Sequence, residues 1–81
     1  MQMKILYFAQ LKEAAGADEE TLVVQGPTTV GEVVRKILDR PLFEKIRGLP
    51  LRYALNDEFV SLEQPIEEQA VIAILPPVAG G

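Results

Sequence analysis

Apolar positions along this chain change period several times, and each change marks an element. Met3-Lys4-Ile5-Leu6-Tyr7-Phe8 carries β-branched and aromatic residues without a breaker and predicts a strand. Ala9 to Ala15 is rich in helix formers and closes on Gly16, which predicts one or two helical turns. Thr21-Leu22-Val23-Val24 predicts a second strand, ended by Gly26-Pro27. The two strands would pair like a hairpin across the short helical connection.

The clearest helix follows. Thr29-Val30-Gly31-Glu32 fits a capping box, in which the Thr29 hydroxyl accepts the Glu32 amide and the Glu32 carboxylate reaches back to the cap. Val30, Val33, Val34, Ile37 and Leu38 fall at helical spacing on one face, with Glu32, Arg35, Lys36 and Asp39 on the wet side. Pro41 disfavours helical geometry at Arg40 and closes the element. Leu42 to Ile46 adds a short turn before Gly48.

Arg52-Tyr53-Ala54-Leu55 and Glu58-Phe59-Val60 flank Asn56-Asp57, two residues that tolerate positive φ, so a hairpin is expected. Pro65 interrupts, and Ala70-Val71-Ile72-Ala73-Ile74-Leu75 is a fully apolar strand. This is the order of the β-grasp (ubiquitin-like) fold of the α+β class, a mixed sheet wrapped around one main helix with the first and last strands parallel at its centre. Residues 1–75 form that domain and residues 76–81 an extended C-terminal tail ending in Gly-Gly.

The strands carry more apolar surface than one helix can cover. Strand alternation puts Met3, Ile5 and Tyr7 on one face of the first strand and Lys4, Leu6 and Phe8 on the other. Lys4 marks the second face as outward, yet Leu6 and Phe8 share it. In the last strand Ile72 and Ile74 suit the helix side, turning Val71, Ala73 and Leu75 outward. A sheet covered on one side needs one apolar face. The surplus of Leu6, Phe8 and Leu75, joined by Phe59, points to an exposed docking patch. The alternative is that loops or the Leu42 to Ile46 turn cover these side chains.

Composition narrows the chemistry. The chain is 81 residues long, enough for one domain with a modest core. The net charge is −4, and the eight basic residues are scattered without a stripe for phosphates, so no nucleic-acid partner is expected. No apolar run approaches a membrane span and the start lacks a signal peptide's order of regions, so the expectation is a cytosolic protein with no membrane partner. Without Cys or His there is no thiol nucleophile, zinc knuckle or imidazole base, and autonomous catalysis is not expected. Asp18-Glu19-Glu20, Asp57-Glu58 and Glu67-Glu68 sit at turns or strand edges where neighbours point to opposite faces, so they read as solvated surface and no metal site is expected. Lys12 and Glu13 read as the wet side of the short helix.

The sharpest candidate is the end of the chain. Gly is about 7% of average sequence, so Gly80-Gly81 as a final pair arises by chance in roughly 1 chain of 200. A terminus free of Cβ for two residues can thread a narrow channel and offer its own carboxylate. Pro76-Pro77 ends sheet pairing and holds the chain outward, with Val78 and Ala79 as small apolar grips. At ~3.3 Å per residue the tail spans about 20 Å at most, enough to enter a partner's active site. The terminal carboxylate is a poor electrophile and must first be activated, most simply as an acyl-adenylate. Nothing in the chain resembles a phosphate-binding loop, so ATP belongs to a partner.

Lys4 to Glu13 with Gly16, Leu55-Asn56, Val60-Ser61 and Leu75-Pro76-Pro77-Val78-Ala79-Gly80-Gly81 resemble the small-subunit (MoaD) family of molybdopterin synthase, end to end. Leu75 stands where the family often has an aromatic residue. The resemblance implies that the chain binds no cofactor itself and that Gly81 is adenylated by an E1-like enzyme of the MoeB type. Gly81 is then converted to a thiocarboxylate (1-thioglycine) with sulfur from a sulfurtransferase. It also implies that Pro76, Pro77, Val78, Ala79 and Gly80 thread the active site of a MoaE-type large subunit, within a heterotetramer. There Gly81 would supply sulfur to cyclic pyranopterin monophosphate, the catalytic residues lying on the partner. Three alternatives stay open: a thiazole-pathway sulfur carrier of the ThiS type, a ubiquitin-like modifier of lysines, and a plain interaction module with an inert tail.

Overall fold

The first and last strands lie side by side and parallel, and the sheet is built outward from that pair. The computed structural model describes residues 1–77. Strand β1 (Gln2–Tyr7) pairs antiparallel with β2 (Glu19–Val23) across helix α1 (Gln10–Ala15), which ends on Gly16 in the left-handed conformation at φ 73°. Strand β7 (Ala70–Leu75) runs parallel to β1, placing Ile5 opposite Ile72 and Leu6 opposite Ala73. Its other edge takes β4 (Arg52–Leu55), which turns back into β5 (Glu58–Val60). The sheet order is therefore β2-β1-β7-β4-β5, the mixed β-grasp arrangement. Asn56 and Asp57 both take positive φ, 49° and 71°, as the two-residue hairpin requires.

Helix α2 (Val30–Leu38) packs on one face of this sheet. Its Val30, Val33, Val34, Ile37 and Leu38 are buried with Met3, Ile5, Tyr7, Ile72 and Ile74 of the sheet and Leu11 of α1. The capping box forms in part. Thr29 Oγ1 accepts the Glu32 N–H at 3.2 Å, but the Glu32 carboxylate accepts from the Thr28 hydroxyl at 3.1 Å instead of returning to the cap amide. Further donors of the first turn go to a neighbouring loop: Val30 N–H to the Gln64 carbonyl at 3.0 Å and Gly31 N–H to the Leu62 carbonyl at 2.8 Å.

That loop contains an element the sequence pattern does not announce. Pro65, expected only as an interruption, opens β6 (Pro65–Ile66), which pairs antiparallel with β3 (Thr28–Thr29). Two-residue strands show no period, and Pro is tolerated at the first position of an edge strand. Pro41 also does more than stop a helix: it opens a 3-10 helix, Pro41–Phe43, whose Phe43 is fully buried 5.5 Å from the Tyr7 ring. With Ile46 buried too, this segment closes the inward side of the sheet, and Leu42 stays exposed. It does not cover the outward face.

Candidate functional site

On the outward face, register alone assembles a continuous apolar row. Leu6 stands opposite Ala73, Ala73 opposite Ala54, and Ala54 opposite Phe59, so the row crosses β1, β7, β4 and β5. Two alanines between larger side chains make its middle a shallow trough. Phe59 and Phe8 are exposed large apolar residues, whereas Leu6, Ala54, Ala73 and Leu75 are partly covered by their neighbours. Of the four expected patch residues, Leu6, Phe59 and Leu75 lie on this face by register, and Phe8 is exposed just beyond the end of β1. Ala54 belongs with them and was not singled out from sequence; alternation in the Arg52 to Leu55 strand was the available signal.

Phe8 lies one residue beyond the end of β1. Its carbonyl accepts the Leu11 N–H at 3.0 Å, closing a turn whose first central residue is Ala9. Ala9 has φ 48° and ψ −122°, a region that suits glycine, and such a conformation costs on the order of 1–3 kcal/mol. The strained turn redirects the chain from β1 into α1, and Phe8 beside it is 44% exposed.

The two ends of the row differ electrostatically. At the β2 end, Lys4 pairs with Glu19 at 3.2 Å, so that cation is already matched. At the β5 end, the Arg52 guanidinium lies over the Phe59 ring, 4.1 Å from its centroid. Arg52 is also in register with Leu75, the last residue of β7. Pro76 and Pro77 follow outside any strand, so the chain leaves the sheet beside this stack. Val78, Ala79, Gly80 and Gly81, which carry the sharpest expectation from sequence, lie outside the described residues.

One expected surface residue is something else. Asp18 and Glu19 are exposed, but Glu20 faces inward at the edge of the sheet. Its carboxylate accepts the Tyr7 hydroxyl and pairs with Arg40. The Arg40 hydrogen bond outweighs partial burial and, with Tyr7, holds the Glu20 carboxyl below the usual glutamate range. Burial first, then the Glu20 hydrogen bond, pushes the Tyr7 phenol far above its ordinary range, so it remains a donor. The solvated reading of Glu20 is thus corrected: β2 is an edge strand, and its inward positions meet the end of α2. Lys12 matches its expectation, exposed and paired with Asp18 at 2.9 Å.

Among the described residues no group of three or more His, Cys, Asp or Glu side chains could hold a metal ion, and no helix is long and apolar enough to cross a membrane.

The model of the ThiS family matches residues 5–81. The chain is 33% identical, over the whole of both sequences, to the molybdopterin synthase sulfur carrier subunit of Chlamydomonas reinhardtii. It is 32% identical to the protein of the same name from Escherichia coli, over 98% of this chain and 99% of that one. Among solved structures it is similar to small archaeal modifier protein 1 of Haloferax volcanii, with TM-score 0.81 and 26% identity over 95% of this chain and 98% of that one. It also shares the fold of a chain from the Helicobacter pylori complex of subunits 1 and 2 of molybdopterin-converting factor, with TM-score 0.73 and 23% identity over the whole of both chains.

Proposed function

The chain belongs to the ThiS family, and we propose that it is the sulfur carrier subunit of a molybdopterin synthase. The Gly81 carboxylate displaces pyrophosphate from ATP in an E1-like enzyme to form an acyl-adenylate. The terminal sulfur of a sulfurtransferase persulfide then attacks the acyl carbon and expels AMP, and a thiol reductant cleaves the resulting acyl disulfide to leave a thiocarboxylate. Inside the large subunit the thiocarboxylate sulfur bonds to cyclic pyranopterin monophosphate as a thioester, and water cleaves the acyl–sulfur bond, so that Gly81 returns as a carboxylate and the sulfur stays on the pterin.

The observation that carries the proposal is the apolar row Leu6, Ala73, Ala54 and Phe59 lying beside Leu75, where the chain passes from β7 into Pro76-Pro77. A docking face at the root of the tail fixes the distance from partner surface to terminal carboxylate, so the partner that grips the face also receives the reacting group. The curated relatives' names favour pterin over thiazole as the sulfur acceptor.

The test is the intact mass of the protein after incubation with the E1-like enzyme, ATP, a persulfide-loaded sulfurtransferase and a thiol reductant. One oxygen should be replaced by sulfur, and the gain should vanish when large subunit and cyclic pyranopterin monophosphate are added. A chain lacking Gly81 should fold and stay unmodified; if it still acquires sulfur, the reading is wrong. The likeness to an archaeal modifier protein supports a second reading, for which recovery of the chain joined through Gly81 to lysines, without sulfur release, is the distinguishing result.

A further inference from the structure

The outward face carries one cation that the described protein leaves unmatched. Arg52 takes part in none of the ion pairs among the described residues, which join Lys4 to Glu19, Lys12 to Asp18 and Arg40 to Glu20, and its side chain makes no hydrogen bond there. Its acidic neighbour along the hairpin, Glu58, is in register with Leu55 and Ile72, so it lies on the other face of the sheet. The guanidinium rests on the Phe59 ring, which orients its plane while leaving its N–H edge open.

A partner that covers the apolar row must also cover this stack, because Arg52 is in register with Leu75 and the tail departs there. Shielding the guanidinium from water without a partner charge would cost much of what the apolar contact contributes. A carboxylate opposite the N–H edge removes that cost and adds a directional, charge-assisted contact. At the far end of the row Lys4 already has Glu19, so no second carboxylate is required.

We propose that Arg52 is a specificity residue of the docking face, recognising a carboxylate that the partner presents beside an apolar ridge, at the mouth of the channel receiving the tail. The inference rests on the functional reading above and extends it: the apolar row supplies contact area, and Arg52 sets orientation and partner choice. A partner with an apolar or basic group at that point would be rejected even though it fits the trough.

The experiment is titration calorimetry of the full chain against the molybdopterin synthase large subunit of the same organism, at 50 and 500 mM NaCl, with Arg52→Leu, Arg52→Lys and Arg52→Glu. Arg52 is exposed, so all three variants should keep the melting temperature of the parent. At low salt Arg52→Leu should bind about 10-fold more weakly, Arg52→Glu about 100-fold, and Arg52→Lys between the parent and Arg52→Leu. The salt dependence seen with the parent should be largely lost in Arg52→Leu. Unchanged or tighter binding by Arg52→Leu would mean that the face is read by apolar contact alone and would overturn the proposal. Failure of the parent chain to bind the large subunit would overturn the functional reading instead.

Discussion

Arg40, just past the end of α2, grips the Glu20 carboxylate on edge strand β2, and Tyr7 of β1 donates to the same carboxylate. Three elements distant in sequence are tied by one carboxylate, which is accordingly held in its ionised form. Arg40 also covers the Phe43 ring, 5.6 Å from its centroid, and its Nε donates to the Ile37 carbonyl at 3.3 Å, joining the network to the C-terminal end of the helix.

Acid stability follows from that geometry. The folded-state pKa of Glu20 lies below its unfolded value, so the folded protein favours the charged form. Its contribution is complete at neutral pH and fades as the pH falls below about 4.3 and through the lowered folded value. Because the pair is roughly one-third exposed, the contribution is about 1 kcal/mol at most. Glu20→Gln should lower the urea midpoint at pH 7 and narrow the gap to the parent as the solution is acidified. A gap that widens in acid would contradict the lowered pKa.

At the proposed docking face, Phe8→Glu and Phe59→Glu should weaken binding to the proposed large-subunit partner by ~2 kcal/mol or more, since a charge replaces an apolar anchor that must be desolvated. Both rings are substantially exposed, at 44% and 62%, so melting temperature should change little. Leu75 is partly covered and its substitution would mix binding with stability. A large melting shift with unchanged affinity would assign Phe8 or Phe59 to the core.

Gly31 makes a third prediction, opposite to helix propensity. In an exposed helix Gly→Ala stabilises by up to about 1 kcal/mol. Here a Cβ at Gly31 would meet the Leu62 carbonyl oxygen at 3.0 Å and the Leu62 Cβ at 3.2 Å. That carbonyl also accepts the Gly31 N–H, so retreating from the new methyl group stretches a hydrogen bond. Gly31→Ala should therefore lose stability, on the order of 1 kcal/mol by denaturant titration. A rise in the midpoint would show that the 62–64 loop yields freely.

Much of this protein is local and can be read along the chain. The Thr29 cap, the valine and isoleucine face of α2, the Asn56-Asp57 turn and the surplus of apolar strand positions depend on φ/ψ preference and side-chain period within a few residues, and each appears where the pattern puts it. So does the order of elements that identifies the β-grasp. What the chain could not disclose depends on register between segments far apart in sequence. Glu20 looks like its exposed neighbour Glu19 until β2 is laid against β1 and Arg40 arrives from the end of α2. Gly31 looks like a poor helix residue until the Leu62 carbonyl is seen against it. Arg52 looks like one more scattered base until β5 brings the Phe59 ring beneath it and β7 sets Leu75 at its side. Alternation assigns a side chain to a face, but only the pairing of strands chooses its neighbours, and it is the neighbours that determine whether a charge is matched, buried or left for a partner.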